Sequence, residues 1–573
     1  MIDYITLPIY YYYQKKMPGG QMNLVFTGTA DQILVGEPKK SFWNYSYNQY
    51  SQFGKQHFRV DFDGQRDLRL TEPSKFSFTM PRYADLISDI VISVTLPNIW
   101  SPIYHPCVQT ANQWASYDFR WIRDLGAQMI QEIEITCGNF TIAKYSGQYL
   151  TNMVKRDFQS DMRKKFDVMT GNIPELNNPC AAYGRINVYP SAFYTDNPAG
   201  AEPSIRSKTL YIPINSWFTM DNKCAFPLLA LQYNALVINV TMRPIQELFQ
   251  CRDVFDTANI FPYVQPDFNQ SQFQMYRFLQ TPPSPNIDMS SYNNQNVSWN
   301  ADIHLETVYV FLSEAERKKM AMEEHAYLVK DVYEYKFQNV TGTQRVELKS
   351  NGLVTGWIWN FQRNDVNLRN EWSNFSNWPY NSLPSNLVSP PYLLTIPYNQ
   401  NDPNNTKNGP VINPDGNNTG YFISGDFSAD NQKNILLTMA LILDGEYREV
   451  DLPSGIFQYM EKYLTNPGSP QECEDGIYCY NFCLNSNPFK RQPSGAMNLT
   501  RFKRVQFGFS TYVPPINPAL ADFEILCNTE GNPIGVKKAS WQLYDYNYDL
   551  NVYEERYNVI TFIGGYCGAL FAR

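Results

Sequence analysis

The residues best suited to bond-making chemistry are few and scattered. The chain has four histidines, His57, His105, His304 and His325. His57 and His304 fall in strand-like stretches, and His105 precedes a proline. His325 follows Glu323-Glu324 in a stretch read as a solvated helix face, without the HExxH spacing that sets two imidazoles and a base on one side of a helix. Ten cysteines are the other candidates. Cys107, Cys137, Cys180, Cys224, Cys251, Cys527 and Cys567 stand singly, and only Cys473, Cys479 and Cys483 cluster. Cys479 and Cys483 share a face of a short apolar run, but no CxxC pair completes a zinc site. We read the cysteines as small buried hydrophobes, and their number in 573 residues suits a reducing compartment better than a disulfide framework. No GxGxxG follows a strand, GxxxxGK[ST] and GxSxG do not occur, and Gly531-Asn532-Pro533-Ile534-Gly535 lacks a lysine and hydroxyl in register for phosphate. The expectation is therefore no enzyme, no metal and no organic cofactor. One modification chemistry is open: among the Asn-X-Ser/Thr triplets, Asn404 and Asn417 lie in loop-like sequence and are the well-presented glycosylation candidates.

Without a reactive centre, the chain must act through its shape. It is 43% hydrophobic, 15% aromatic and 18% charged, with 41 Tyr and 35 Phe. Aromatics suit pleated, half-buried surfaces, which points to an all-β dominated fold. The length suffices for two or three domains. A net charge of −8 argues against direct nucleic-acid binding, which needs cations to displace counterions. No apolar run approaches the ~20 residues of a transmembrane segment. MIDYITLPIYYYYQKK has no basic stretch ahead of an apolar one, so no signal peptide is expected.

Residues 1–21 read as an N-terminal arm rich in tyrosine. Leu24 to Phe53 reads as a turn leading into an aromatic strand pair. Short strands then come densely. Phe58, Val60 and Phe62 alternate with polar residues, as do Phe76, Phe78 and Met80, then Ile133 and Ile135, and Ile238, Val240 and Met242. One helix is expected from Gly147 to Met169. Leu150, Val154, Phe158, Met162 and Phe166 form its apolar stripe, Lys155, Arg156 and Asp157 lie on its polar face, and Gly171 ends it. Proline-rich 246–300 reads as a linker. Asp302 to Leu312 reads as the start of a second set of strands, followed by a helix with a capping box at Ser313 and Glu316 and a Glu314–Lys318 pair. Leu353 to Phe361 is a central-strand candidate. Residues 372–433, rich in Asn, Pro and Gly, read as one long loop that cannot be core. Ile477 to Leu484, and Val505, Phe507 and Phe509, resume strand character.

Several strings resemble the double jelly-roll major capsid proteins of large nucleocytoplasmic DNA viruses. Gly28, Asp31, Pro38, Phe42, Trp43, Tyr47, Tyr50 and Phe53 fall on the family's opening pattern. Pro81, Arg82 and Asp85 belong to PRYADLI, and Pro227 to Tyr233 spell PLLALQY. Glu316-Arg317 and Tyr327-Leu328 match the family's approach to its second roll. GIYCYNF is followed by Gln492-Pro493-Ser494-Gly495 and Asn498-Leu499-Thr500-Arg501, and Tyr557-Asn558-Val559 opens the close. The order matches from about Gly19 to Leu570, and only the tail Phe571-Ala572-Arg573 departs from the family.

The resemblance implies two consecutive eight-stranded jelly rolls with a few short helices and long loops. The expected division is arm 1–21, first roll 22–245, linker 246–300 and second roll 301–573. It also implies a structural virion protein: a homotrimer forming a pseudo-hexagonal capsomer of an icosahedral shell. Its implied neighbours are other capsomers and, on the inner face, minor capsid proteins, with assembly in the host cytoplasm. Two other roles fit the residues: a minor capsid paralogue or assembly scaffold of the same fold, and a jelly-roll glycan-binding module.

The family's loops build its outward tower, so residues 372–433 are expected on the outer face and Tyr4 to Tyr13 inward or sideways. Limited proteolysis of intact particles should then cut first between Asn401 and Asn418 and spare the arm. An exposed arm with a protected loop would reverse that orientation.

Overall fold

The computed structural model describes residues 19–25, 28–64, 67–104, 115–185, 188–193, 200–255, 262–284, 291–378, 409–412, 418–423, 433–466, 476–490, 492–514, 525–527, 533–536 and 546–571. Asn404, Asn417, His105, Cys107, Cys473 and Tyr4 to Tyr13 lie outside these residues.

Sixteen strands carry the architecture. The first eight are β1 (Phe53–Val60), β2 (Ser74–Thr79), β3 (Leu86–Leu96), β4 (Ile130–Cys137), β5 (Phe140–Tyr145), β6 (Lys208–Pro213), β7 (Leu236–Met242) and β8 (His304–Leu312). They make two antiparallel sheets, ordered β1-β8-β3-β6 and β2-β7-β4-β5. The next eight are β9 (His325–Phe337), β10 (Thr343–Leu348), β11 (Leu353–Arg363), β12 (Leu436–Leu443), β13 (Glu446–Pro453), β14 (Ile477–Asn481), β15 (Val505–Thr511) and β16 (Tyr548–Ile563). Their sheets run β9-β16-β11-β14 and β10-β15-β12-β13. Counted from the start of each set, both have the order 1-8-3-6 and 2-7-4-5, which is the winding of an eight-stranded jelly roll.

Backbone pairing moves the expected boundary between the rolls. His304–Leu312, expected to open the second roll, is the last strand of the first, clasped between β1 and β3. Residues 246–300 are correspondingly an excursion of the first roll rather than a linker. Phe249–Arg252 pairs there with Phe119–Trp121, and Phe249 and Trp299 are buried in the first roll's core. Periodicity marked these residues as strand and turn correctly, but it carries no information on which ladder a strand joins.

The long helix is two helices, α1 (Gly147–Asp157) and α2 (Ser160–Thr170). Phe158 between them is extended, and its ring packs against Phe166 at 6.0 Å and Phe489 at 5.2 Å. Gly171 ends α2 at φ 81°. The next helix, α3 (Glu314–Met322), forms the Glu314–Lys318 pair at 2.7 Å, but Ser313 makes no side-chain cap. α3 stops short of His325, which starts β9. Residues Met1–Gln52 form a separate unit. Within it, Gln32–Val35 is a single helical turn, and Phe42 to Tyr50 form no strand pair. Residues 39–52 contain no glycine or proline that would turn the chain back on itself. The described start of the 372–433 segment is also not loop-like in its burial. Phe375 is 4% exposed, and Asn374 and Asn377 supply bonds that the irregular backbone lacks.

Two cores divide the interior. One fills the second roll between its sheets, around Trp357, Trp359, Phe361, Phe507 and Val552. The other fills the first roll and continues through Ile358, Tyr553, Ile560 and Phe562 onto the opposite face of the β9-β16-β11-β14 sheet. That sheet is therefore buried on both sides, and from Val354 to Arg363 every residue of β11 is buried.

Close packing inside the first roll is most stringent at Gly147, the first residue of α1. A Cβ there would lie 1.8 Å from the Ala127 carbonyl oxygen and 2.5 Å from that of Ile130. Gly147→Ala should thus cost at least the ~3 kcal/mol upper end of ordinary overpacking, seen as a large fall in the thermal midpoint. Gly20→Ala, with nothing within 4 Å, should leave it unchanged.

Candidate functional site

Among the described residues the histidines and cysteines do not gather into one cluster. Among the described residues no group of three His, Cys, Asp or Glu side chains could hold a metal ion. His304 is a strand residue between the Asp302 carbonyl and Glu306, and the His325 ring contacts the Met320 carbonyl. Polar chemistry concentrates instead at the seam between the two rolls.

The seam is built on α1 from the first roll and on β9 and β16 from the second. Ser146 caps α1 by accepting the Tyr149 N–H at 3.2 Å, while its own N–H donates to Glu334 of β9 at 2.7 Å. The helix thereby points its last turn at the second roll. Arg156 is 1% exposed and Asp157 fully buried. The Arg156 guanidinium donates to both Asp157 oxygens at 2.9 and 2.6 Å, and to Glu555 Oε1 of β16 at 2.7 Å. Tyr149 donates to the same Glu555 oxygen at 3.0 Å, and Lys330 Nζ of β9 stands 3.9 Å from the other. Ser486 Oγ and Asn466 Nδ2 donate to the Asp157 carboxylate and carbonyl. Burial opposes the charge on Glu555, but Arg156 and Lys330 outweigh it and hold the carboxyl below its usual range. Lys155, also expected on the polar face, is buried on Asp124 at 2.7 Å.

A second part of the seam follows β11. Asp365, paired with Arg363 and Arg369, lies well below the usual carboxylate range despite its burial. Asn370 donates to the carbonyls of Gln246 and Phe249, and Trp372 donates to that of Glu247. The chain after β11 is thus stitched to the first roll's excursion. A third part is aromatic, with Phe226 on Phe562 and Trp217 on Tyr327.

The motif residues spread over the molecule and act as local braces. Asp85 accepts from the Leu312 N–H at 2.9 Å and pairs with Arg317 at 2.9 Å, so the PRYADLI string grips α3. The Pro81 carbonyl accepts from Tyr309, and Arg82 donates to the Gln232 and Asn234 carbonyls at the end of PLLALQY. Ser494 exchanges bonds with Asn485 and accepts the Leu484 N–H on its carbonyl, while Gly495 adopts φ 132°. Gln492 and Pro493 are exposed beside them. Asn498 caps a short turn through the Thr500 N–H. Asn558 bonds both the N–H and the carbonyl of Phe571, and Tyr557 pairs with Leu353. In the N-terminal unit, Asp31 accepts the Gly28 N–H at 2.8 Å and Pro38 is exposed.

Removing one partner of a buried pair leaves an uncompensated charge. Glu555→Gln should cost toward the lower end of about 3–5 kcal/mol, since Asp157 still faces Arg156, read as a lower urea midpoint. Glu555 is depressed in the folded state, so its contribution holds above its unfolded pKa and is lost as pH falls through the folded value. The variant should lack that part of the acid dependence.

Comparison with known proteins agrees with this anatomy. A family model described as major capsid protein N-terminus matches residues 41–279, and one described as large eukaryotic DNA virus major capsid protein matches 316–568. The major capsid protein of Phaeocystis pouchetii virus is 22% identical over 523 residues, 85% of this chain and 91% of the relative. The fold is similar to that of VP54 from PBCV-1, with a TM-score of 0.57 at 18% identity, over 93% of this chain and 100% of that one. It is also similar to the Faustovirus major capsid protein, with a TM-score of 0.55 at 11% identity, over 94% and 95%.

Proposed function

Because the chain belongs to the double jelly-roll major capsid proteins of large eukaryotic DNA viruses, we propose that three copies associate into a pseudo-hexagonal capsomer that tiles an icosahedral shell. The protein is a structural component of the capsid, and the finer reading concerns how it builds one. The observation that carries it is the seam. Two rolls of identical strand order, Phe53 to Leu312 and His325 to Ile563, are fixed to each other by a buried ion cluster and a shared core. Such a block presents two similar walls in a fixed relation, and three blocks give six.

In this reading the work is weak lateral contact repeated many times, so binding energy per contact is small and specificity comes from shape. The partners are other copies of the chain, neighbouring capsomers, and minor capsid proteins on the inner face, with assembly in the host cytoplasm. Nucleic acid is not contacted directly, in keeping with the net charge of −8. No helix among the described residues is long and apolar enough to cross a membrane.

Light scattering of the purified protein at micromolar concentration should give three times the chain mass of 66.4 kDa. A well-folded species at 66.4 kDa would sink the trimer.

A further inference from the structure

The fold brings together two cysteines that stand 430 positions apart in the sequence. Cys137 ends β4 in the first roll, and Cys567 lies in the closing strand Tyr566–Ala569, here β17, which pairs with β16. Cys137 is 0% and Cys567 2% exposed. A single short stretch of chain fixes both. The Gln232 and Tyr233 N–H groups donate to the Gly565 carbonyl at 3.0 and 3.3 Å, and Tyr233 stacks on Tyr566 at 4.8 Å. Leu236, three residues on, pairs with Cys137 across the β7–β4 ladder. Gly565 helps by having no side chain, since a Cβ there would lie 2.8 Å from that of Gln232. The outcome places the two buried thiols within interaction range of each other, both of them reduced.

We propose that Cys137 and Cys567 are an oxidisable pair whose disulfide staples the first roll to the last strand of the second. The surroundings assign the roles. The neighbouring Cys567 and the Arg82 guanidinium favour the Cys137 thiolate, whereas Cys137 and burial make the Cys567 thiol harder to ionise than usual. With a glutathione disulfide as oxidant, the Cys137 thiolate attacks one of its sulfurs and breaks the S–S bond. The departing glutathione thiolate takes up the Cys567 proton. Cys567 then attacks the Cys137 sulfur, and the second glutathione leaves and is protonated by water. The two cysteines lose two electrons and two protons, and two glutathione thiols are formed. Oxidant reaches the buried pair when the four-residue β17 opens locally from β16. A reducing compartment keeps the dithiol, and an oxidising one closes the staple.

The test uses the full-length protein incubated with excess oxidised glutathione, then alkylated and digested with trypsin without reductant. Residues 124–144 and 557–573 form two tryptic peptides, each with a single cysteine. The expected result is one cross-linked species joining them, lost on reduction, together with a thermal midpoint several degrees above that of the reduced protein. Cys567→Ala should remove both the cross-link and the rise. Cys137→Ala serves if that variant does not fold. Recovery of both peptides alkylated, or of Cys137 joined to any other cysteine, would overturn the proposal.

Discussion

A β-sheet with two interiors dominates the physics of this molecule. The β9-β16-β11-β14 sheet has its own roll's core on one face and the first roll on the other, so its central strands β11 and β16 give little of either face to solvent. Trp357, Trp359 and Phe361 project into one core and Ile358 into the other. Buried polar groups on such a sheet gain by finding a partner inside the protein, because an unpaired one costs more than its bond would return, and Trp359 Nε1 is an exception that has none. Glu555 and Arg156 are the sharpest case. Replacing the pair with apolar residues of the same volume could leave stability unchanged, but removing either alone could not. The pair joins α1 of the first roll to β16 of the second at the centre of the buried cluster.

How much of this was legible in the sequence follows from the range of each signal. Alternation at Ile133 and Ile135, at Ile238 to Met242 and at Val505 to Phe509 marked strands that exist, and the stretch from Leu353 to Phe361 marked a central strand. These are local patterns with a fixed period. Lys155, Arg156 and Asp157 looked like the wet face of a helix, because the carboxylate that takes Arg156 indoors lies 399 residues away. No window along the chain contains both halves of that pair. The same blindness misplaced His304–Leu312, whose pattern is right but whose neighbours, β1 and β3, lie more than 200 residues earlier. The motif strings were recognisable as strings, but their physical roles were not. That Asp85 would hold Arg317, and Arg82 the turn at Gln232, became visible only once the chain was folded.

The absence of a reactive cluster among the described residues and the density of internal bonding have a common origin. Side chains that elsewhere line a cleft are here consumed in bracing. Asn370, Asn374, Asn377, Asn498 and Asn558 each bond a turn or a chain end, which lets irregular backbone lie against packed strands without losing its hydrogen bonds. Tyr149, Tyr546 and Tyr548 likewise place ring and hydroxyl in the interior together, each hydroxyl with an acceptor.

The two rolls share a winding but differ in how one sheet of each is buried. In the first, the corresponding sheet mixes buried and partly exposed residues along β3 and β6, while β11 of its counterpart is buried from Val354 to Arg363. The repeats have therefore lost their interchangeability. Whatever ancestry the shared topology records, each half now constrains the other's drift. A change on α1 is tolerated only if β16 can answer it, so the halves must diversify as one inheritance.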